Sequence, residues 1–228
     1  MLKKKGEGKK CEVNVGRSLL LSLPTLVGKI ITADCLHPNK DLAQIIIGKG
    51  GHYFLQVKGN KNYLFAPIKA AFPKKPPRYG PPEKGHGRIE QRAVLTLPTD
   101  AMKSSFPYAR SIHAVYTKGI RDNTPYENVR YFISSLPAEG RLPIEWDRLV
   151  RGHWGGVENR NHWSKDAIWL EDKTRSRNPK LVGNLALIRN ALLKIVADHK
   201  DAYGSLPALT EAMREDKSAA YRLIACTL

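Results

Sequence analysis

The segment between residues 26 and 60 constrains the fold more than any other part of the sequence. Residues 26–34 are a short apolar run rich in β-branched side chains, which predicts a buried strand. Residues 39–49 then place apolar side chains at helical spacing, with Asn39 as a suitable N-cap. Residues 52–60 are again aromatic and β-branched and predict a second strand. A strand–helix–strand unit of this kind normally has parallel strands, so an α/β layer is expected.

The rest of the chain changes character twice. Residues 66–85 are rich in proline and show no periodicity, which is typical of a linker. Three strand-like runs separated by turn-forming residues predict an inserted antiparallel sheet: residues 88–97, 111–119 and 127–136. From Pro143 the pattern is helical, with its clearest helix at 180–199, and Ser205 can cap a short terminal helix. The predicted divisions are a poorly ordered basic leader (1–16), a core (17–65), a proline-rich linker with a β-rich insertion (66–140), a second core region (141–200) and a helical tail (201–228).

The chain is strongly basic, with a formal net charge of +17 over 228 residues and a pI of about 9.9. Basic side chains that neutralise phosphates release condensed counterions, so a nucleic-acid partner is expected. The three cysteines are widely spaced, which argues against a disulfide framework or a thiolate zinc site and favours a reducing cytoplasm. No apolar run approaches the ~20 residues of a membrane span, so no membrane partner is expected.

Asp34 directly follows the first predicted strand. Ligands and reactive groups collect at the carboxyl edge of the sheet in α/β proteins, so Asp34 is a candidate site residue. An aspartate that simply starts a turn after a strand also explains the position, and the position alone favours this simpler interpretation. The residue pattern leaves both interpretations open.

The most unusual segment is GHWGGVENRNHWSKD, residues 152–166. If it is helical from about Val157, then Glu158, His162 and Lys165 fall at i, i+4 and i+7 on one face. The carboxylate fits a hard divalent cation such as Mg²⁺ or Mn²⁺, and the lysine fits a phosphate. A salt-bridged surface face explains the same spacing without a ligand. A zinc-protease site does not fit, because the sequence has no H-E-x-x-H.

Two basic segments that contain glycine are further candidates for nucleic-acid contact. Residues 83–92 combine His86, Arg88 and Arg92 with glycines that allow a ligand to approach the backbone. The alternative is the exposed start of a basic hairpin. Residues 45–51, IIIGKGG, resemble the GXXG loop of KH domains, which clamps single-stranded nucleic acid. That loop requires a helix after the glycines, whereas a strand pattern follows here, so the end of a helix is the simpler explanation.

Six segments taken together resemble one known family. In chain order they are ITAD (31–34), KGGHYFLQVKGN (49–60), KGHGRIEQR (84–92), RYFISSLP (130–137), RGHWGGVENRNHW (151–163) and EDKTRSRNPKLVGNLALIRNALL (171–193). The order and the amino-acid sequences of these segments resemble those of insertion-sequence transposases of the Asp-Asp-Glu type, in the subgroup that includes the H-repeat-associated proteins. The resemblance runs from about residue 12 to 228, and it is specific because six motifs occur in order with fitting spacers.

The resemblance implies an α/β fold: a partial ribonuclease-H-like core, a β-rich insertion and C-terminal helices. It also implies two divalent ions, Mg²⁺ or Mn²⁺, held by Asp, Asp and Glu, with Asp34 as the second aspartate and Glu158 as the glutamate. Lys165 matches a basic residue that contacts a DNA phosphate. Further matches are expected to shape the site or contact DNA: His153, Trp154, Asn159 and His162. The implied reaction is metal-assisted phosphoryl transfer on double-stranded DNA at the ends of an insertion sequence.

The chain departs from the family pattern at the first aspartate. The family places that residue on a strand well upstream, in an Asp-Gly-Lys context, but no aspartate precedes Asp34 here. The expectation is therefore an N-terminally shortened transposase of the bacterial cytoplasm and nucleoid, inactive alone. A sheet without its first three strands would keep an unpaired edge.

Two other functions stay open from the sequence. A non-catalytic remnant could bind DNA through the insertion and the basic helices, or pair with a full-length transposase in a multimer and inhibit it. Dependence on Asp34 and Glu158 would separate catalysis from this alternative. The remote alternative is an RNA-binding KH module, whose preference for single strands would be lost on altering Lys49 or Gly50.

Overall fold

The computed structural model describes residues 7–35, 38–85, 88–101, 106–153, 170, 173–199 and 204–218, together with residues 221 and 225. The chain divides into two compact units, Met1–His153 and Trp154–Leu228. The division falls inside the region that the sequence assigned to one stretch of core, 141–200. Within the described ranges, no helix is both long enough and apolar enough to cross a membrane.

The described part of the first unit is a single mixed β-sheet packed against α-helices. Its elements, in chain order, are α1 (Glu7–Ser22), β1 (Ile30–Ala33), α2 (Lys40–Gly48), β2 (His52–Val57), α3 (Asn62–Ala71), β3 (Glu83–Gly85), β4 (Arg88–Pro98), β5 (Ser111–Arg121), β6 (Thr124–Ser134) and α4 (Pro143–His153). The strands form one sheet in the order β1-β2-β6-β5-β4-β3. A single 3-10 turn, Gly59–Lys61, joins β2 to α3.

The strand–helix–strand unit forms as the sequence predicts. β1 and β2 are parallel, and Asn39 caps α2 by accepting a hydrogen bond from the Leu42 backbone N–H at 2.7 Å. The glycines at 50 and 51 end α2 and lead directly into a strand. The three inserted strands also form, but β6 pairs antiparallel with β2. The insertion therefore continues the core sheet rather than building a separate one.

β2 lies inside the sheet with both of its faces covered. Tyr53, Leu55 and Val57 belong to a core shared with α1, α2 and α3. Phe54 points to the other face, where it stacks on Trp146 of α4. Because successive side chains of a strand alternate between faces, helices must cover both sides of the sheet. The α/β fold class expected from the sequence is confirmed.

Two helices occur where the sequence predicted irregular chain. The leader was expected to be poorly ordered over 1–16, yet α1 begins at Glu7, and its Leu20 packs into the core. The linker was expected to begin at 66, but α3 continues to Ala71 with a proline inside it. The two fully buried side chains of α3, Leu64 and Ile68, contribute roughly 3–6 kcal/mol together. That burial offsets the ~3 kcal/mol cost of the internal proline.

The described part of the second unit contains two helices that were both predicted. α5 (Pro179–His199) matches the helix expected at 180–199, and α6 (Leu206–Glu215) is the short terminal helix. Ser205 caps α6, because its hydroxyl accepts a hydrogen bond from the Ala208 N–H at 3.3 Å. Leu209 is buried in a small cluster with α5 through Ile195.

Candidate active site

Two strand ends meet at one edge of the sheet. Because β1 and β2 are parallel and in register, Asp34 and Lys58 follow their strands at the same carboxyl edge. The turn after β2 is tied to the loop after β1, since the Asn60 side-chain amide donates to the Cys35 carbonyl at 2.8 Å. Ligand sites in α/β sheets form at this edge. Asp34 therefore occupies the position that the sequence predicted, while its chemical role stays a prediction.

The C-terminal end of α4 reaches the same strand. His153 is the last residue of α4, and its Nδ1 shares a hydrogen bond of 3.1 Å with the Thr32 hydroxyl of β1. Thr32 lies two residues before Asp34. The structure thus brings two predicted site residues, Asp34 and His153, to the end of one strand. The neighbours Thr32, Lys58 and Asn60 were not predicted as site residues, although Lys58 and Asn60 lie in the second predicted strand, 52–60.

Aromatic packing fixes the position of α4. Trp146 is 1% exposed, and its ring lies 5.8 Å from the Phe54 ring and 4.2 Å from the His113 ring, measured between centroids. Buried aromatic groups of this size dominate local packing energies. Since α4 cannot rotate without breaking these contacts, the same packing positions His153 at the end of the helix.

An ion-pair network fastens α4 to the inserted strands. The buried Asp147 carboxylate accepts a hydrogen bond from Arg151 Nε at 2.6 Å and lies 3.5 Å from Arg92 Nη1. Arg151 also pairs with Glu83 of β3. A buried carboxylate tolerates burial when it is paired in this way. The network links the helix that carries His153 to β3 and β4.

Two of the residues predicted to contact DNA are held in ion pairs on β4. Arg92 donates to Glu90 at 2.8 Å, and Arg88 lies 3.5 Å from the same carboxylate, which also accepts a hydrogen bond from Tyr126. Burial alone would raise the pKa of Glu90, but the hydrogen bonds from Tyr126 and Arg92 outweigh it and lower that pKa. The arginines therefore have structural partners, and DNA contact by them remains a prediction.

Several predicted site residues lie outside the described residues. They are His86, Trp154, Glu158, Asn159, His162 and Lys165. In the part of the chain that the structure describes, no group of three or more His, Cys, Asp or Glu side chains is close enough to hold a metal ion. The carboxylate of Asp34 is a donor of the type that Mg²⁺ and Mn²⁺ prefer, so the described edge supplies a fitting ligand but not a complete set.

A buried histidine was not predicted from the sequence. His113 lies on β5 with no exposed surface, and its two ring nitrogens are hydrogen-bonded to the Thr96 hydroxyl at 3.0 Å and the Ser111 hydroxyl at 2.9 Å. Burial lowers the pKa of His113 to about 3, so the ring is neutral at pH 7. A histidine inside the apolar run SIHAVYTKG was the available signal.

Comparisons with known proteins identify the family. A family model described as "Transposase DDE domain" matches residues 4–193. "H repeat-associated putative transposase YhhI" of Escherichia coli (strain K12) is 31% identical over 199 residues, covering 79% of this chain and 50% of that protein. "Putative transposase YncI" of Escherichia coli O157:H7 is 28% identical over 200 residues, with coverage of 82% and 50%. The chain spans about half the length of these relatives. The mixed α/β sheet with helices is consistent with a partial ribonuclease-H-like fold, and the chain belongs to the DDE transposase family.

Proposed function

We propose that this chain is part of an enzyme that cleaves and joins double-stranded DNA at the ends of an insertion sequence. The observation that carries the proposal is the position of Asp34 at the carboxyl end of a parallel strand, within the range matched by the transposase family. Glu158 and Lys165 lie in the same matched range. They are proposed as a second acidic ligand and as a phosphate contact. The proposed place of action is the bacterial cytoplasm, on the nucleoid.

The residues of this chain have separate roles in the proposed reaction. Asp34 and Glu158 would each offer carboxylate oxygens, the ligand type that Mg²⁺ and Mn²⁺ prefer. Such a bound ion would supply charge neutralisation at the phosphate that is transferred. His153 and Thr32 brace the end of β1, and Lys58 places a positive charge at the same edge. The charge of Lys58 would favour the approach of a phosphodiester to this edge.

Metal binding tests the assignment of Asp34. Mn²⁺ affinity of the purified chain is measured by the electron paramagnetic resonance signal of free Mn²⁺. Asp34→Asn is expected to weaken binding strongly, because the amide carries no charge. Asp122→Asn is the matched control. Asp122 is an exposed acid in the turn between β5 and β6, and in the sheet β2 and β6 separate β5 from β1. Equal affinities for the parent and Asp34→Asn would remove Asp34 from the site.

Strand cleavage tests the proposal that these 228 residues are inactive alone. No aspartate precedes Asp34 in them, so on the proposed assignment they supply only the second and third of the family's three acids. With Mg²⁺ or Mn²⁺ and DNA that contains insertion-sequence ends, we expect binding without nicking. Nicking that disappears in Asp34→Ala would refute inactivity but support the site. Nicking that survives Asp34→Ala would refute the site.

A second candidate function is favoured by the position of β1. Among the described strands β1 pairs with β2 alone and is an edge of the sheet. An open edge can accept a strand from another chain. The chain could therefore pair with a complete transposase in a multimer and inhibit it, without catalysis of its own. In a strand-transfer assay with an active family member, this function predicts inhibition that Asp34→Asn leaves unchanged.

A further inference from the structure

The positive charge of the chain is unevenly distributed. Residues 42–82 contain seven lysine and arginine residues and no aspartate or glutamate. The chain as a whole has a net charge of +17, so this segment carries a large share of it. A stretch of this length without any acid differs from the mixed charges of an ordinary solvated surface.

Six of the seven basic residues lie close together in the chain, on the turn after β2, on α3 and on the loop after α3. They are Lys58, Lys61, Lys69, Lys74, Lys75 and Arg78, which we call the α3 basic surface. All are exposed except Lys61, which is half-buried, and none forms an ion pair with an acid in the described residues. The seventh, Lys49, donates instead to the carbonyls of Leu21 and Leu23.

The outer face of α3 allows a ligand to lie close to the helix backbone. Leu64 and Ile68 point into the core, which leaves Tyr63, Ala66 and Ala70 on the exposed side. Small alanine side chains between the lysines allow a phosphate backbone to lie near the helix. The 10-residue helix is about 15 Å long, which equals the axial rise of roughly four base pairs of duplex DNA.

The α3 basic surface begins at the candidate active site. Lys58 follows β2 at the carboxyl edge that also holds Asp34. Asn60, in the turn that leads into α3, donates to the Cys35 carbonyl one residue beyond Asp34. The surface therefore extends continuously along the chain from the edge of Asp34 to the loop after α3.

We propose that the α3 basic surface binds the phosphodiester backbone of double-stranded DNA and leads it to the edge that holds Asp34. The choice of duplex DNA rests on the proposed function. Arg88 and Arg92, by contrast, are held by Glu90. The charges of the α3 basic surface have no such partners in the described chain, so they can neutralise phosphates without first breaking an ion pair.

The test compares two double variants that lower the net charge equally. Lys69→Glu/Lys74→Glu alters the α3 basic surface, and Lys29→Glu/Arg110→Glu alters exposed residues at the opposite ends of the strands. Binding of the 228-residue chain to a short duplex is measured by fluorescence anisotropy in EDTA, between about 50 and 200 mM salt. Far-ultraviolet circular dichroism confirms that both variants fold. Single-stranded RNA of equal length is the second ligand.

The slope of log K against log salt is negative, and loss of two phosphate contacts reduces its magnitude by about 1.8. The same loss weakens binding on the order of 50-fold at 0.1 M salt. The control variant is expected to change affinity far less and to keep the slope. Equal losses in both variants, or a loss confined to RNA, would overturn the proposal. Those results would leave the proposed catalytic site standing if Mn²⁺ binding still depends on Asp34. If the parent chain did not bind DNA, that result would contradict both the DNA-binding role of the α3 basic surface and the proposed function.

Discussion

Acid should destabilise the first unit through His113. The folded state holds this ring neutral, with a pKa of about 3 against 6.5 in an unfolded chain. Because the folded pKa is the lower one, the unfolded state binds more protons below pH 6.5. The stability contributed by the neutral ring is therefore complete above pH 6.5 and is lost as pH falls toward 3. For a pKa difference of this size, the free energy of unfolding falls by about 2 kcal/mol between pH 7.5 and pH 5.

Urea unfolding followed by tryptophan fluorescence measures this effect. Trp146 is one of four tryptophans and contacts His113, so its share of the emission reports the packing around the histidine ring. His113→Gln keeps hydrogen-bonding atoms near Thr96 and Ser111 but cannot titrate in this range. The parent should lose about 2 kcal/mol more than His113→Gln between pH 7.5 and pH 5. Equal pH dependence in the two proteins would show that His113 is not held neutral by burial.

Three further substitutions, two of them compared with a control substitution, test the packing of the first unit. Trp146→Ala should lower the free energy of unfolding by about 3–5 kcal/mol in urea titrations, whereas Arg148→Ala, exposed on the same helix, should change it by less than ~0.5 kcal/mol. Asp147→Ala leaves Arg92 and Arg151 without their shared partner and should cost roughly 1–3 kcal/mol; a neutral result would show that the network is dispensable. Gly119→Ala should lower the free energy of unfolding, because the added Cβ would lie 2.3 Å from the Ile89 carbonyl oxygen. Gly48→Ala is the control: its Cβ would meet no atom within 4 Å, and alanine should stabilise α2 by up to ~1 kcal/mol. Thermal melts that reverse this order would contradict the close strand approach at Gly119.

Local signals in the sequence predicted the elements whose causes are local. Asn39 and Ser205 cap helices as expected, because a cap depends on a side chain and the next few backbone N–H groups. The parallel pairing of β1 and β2 followed from the strand–helix–strand pattern. The position of Asp34 then followed from the end of a strand. These inferences needed no knowledge of distant contacts.

Long-range contacts account for what the sequence did not reveal. The sequence predicted that Pro67 lies in a linker. In the structure Pro67 lies inside α3, which burial of Leu64 and Ile68 stabilises. The sequence made Arg92 a candidate for nucleic-acid contact, but Asp147, far along the chain, is one of its ion-pair partners. Pairing of β6 with β2 depends in the same way on residues that are far apart in sequence. Periodicity alone carries no information about such partners.

The proposal to test first is that Asp34 is a ligand of a divalent metal ion at the carboxyl edge of β1. Fe²⁺ can replace Mg²⁺ at an oxygen-ligand site, and with ascorbate and peroxide it generates hydroxyl radicals that cut the nearby backbone. Mass spectrometry of the fragments locates the cuts. We expect cuts close to residue 34 that disappear in Asp34→Asn and persist in Asp122→Asn. Cuts confined to other segments, or cuts that Asp34→Asn leaves unchanged, would contradict the proposal.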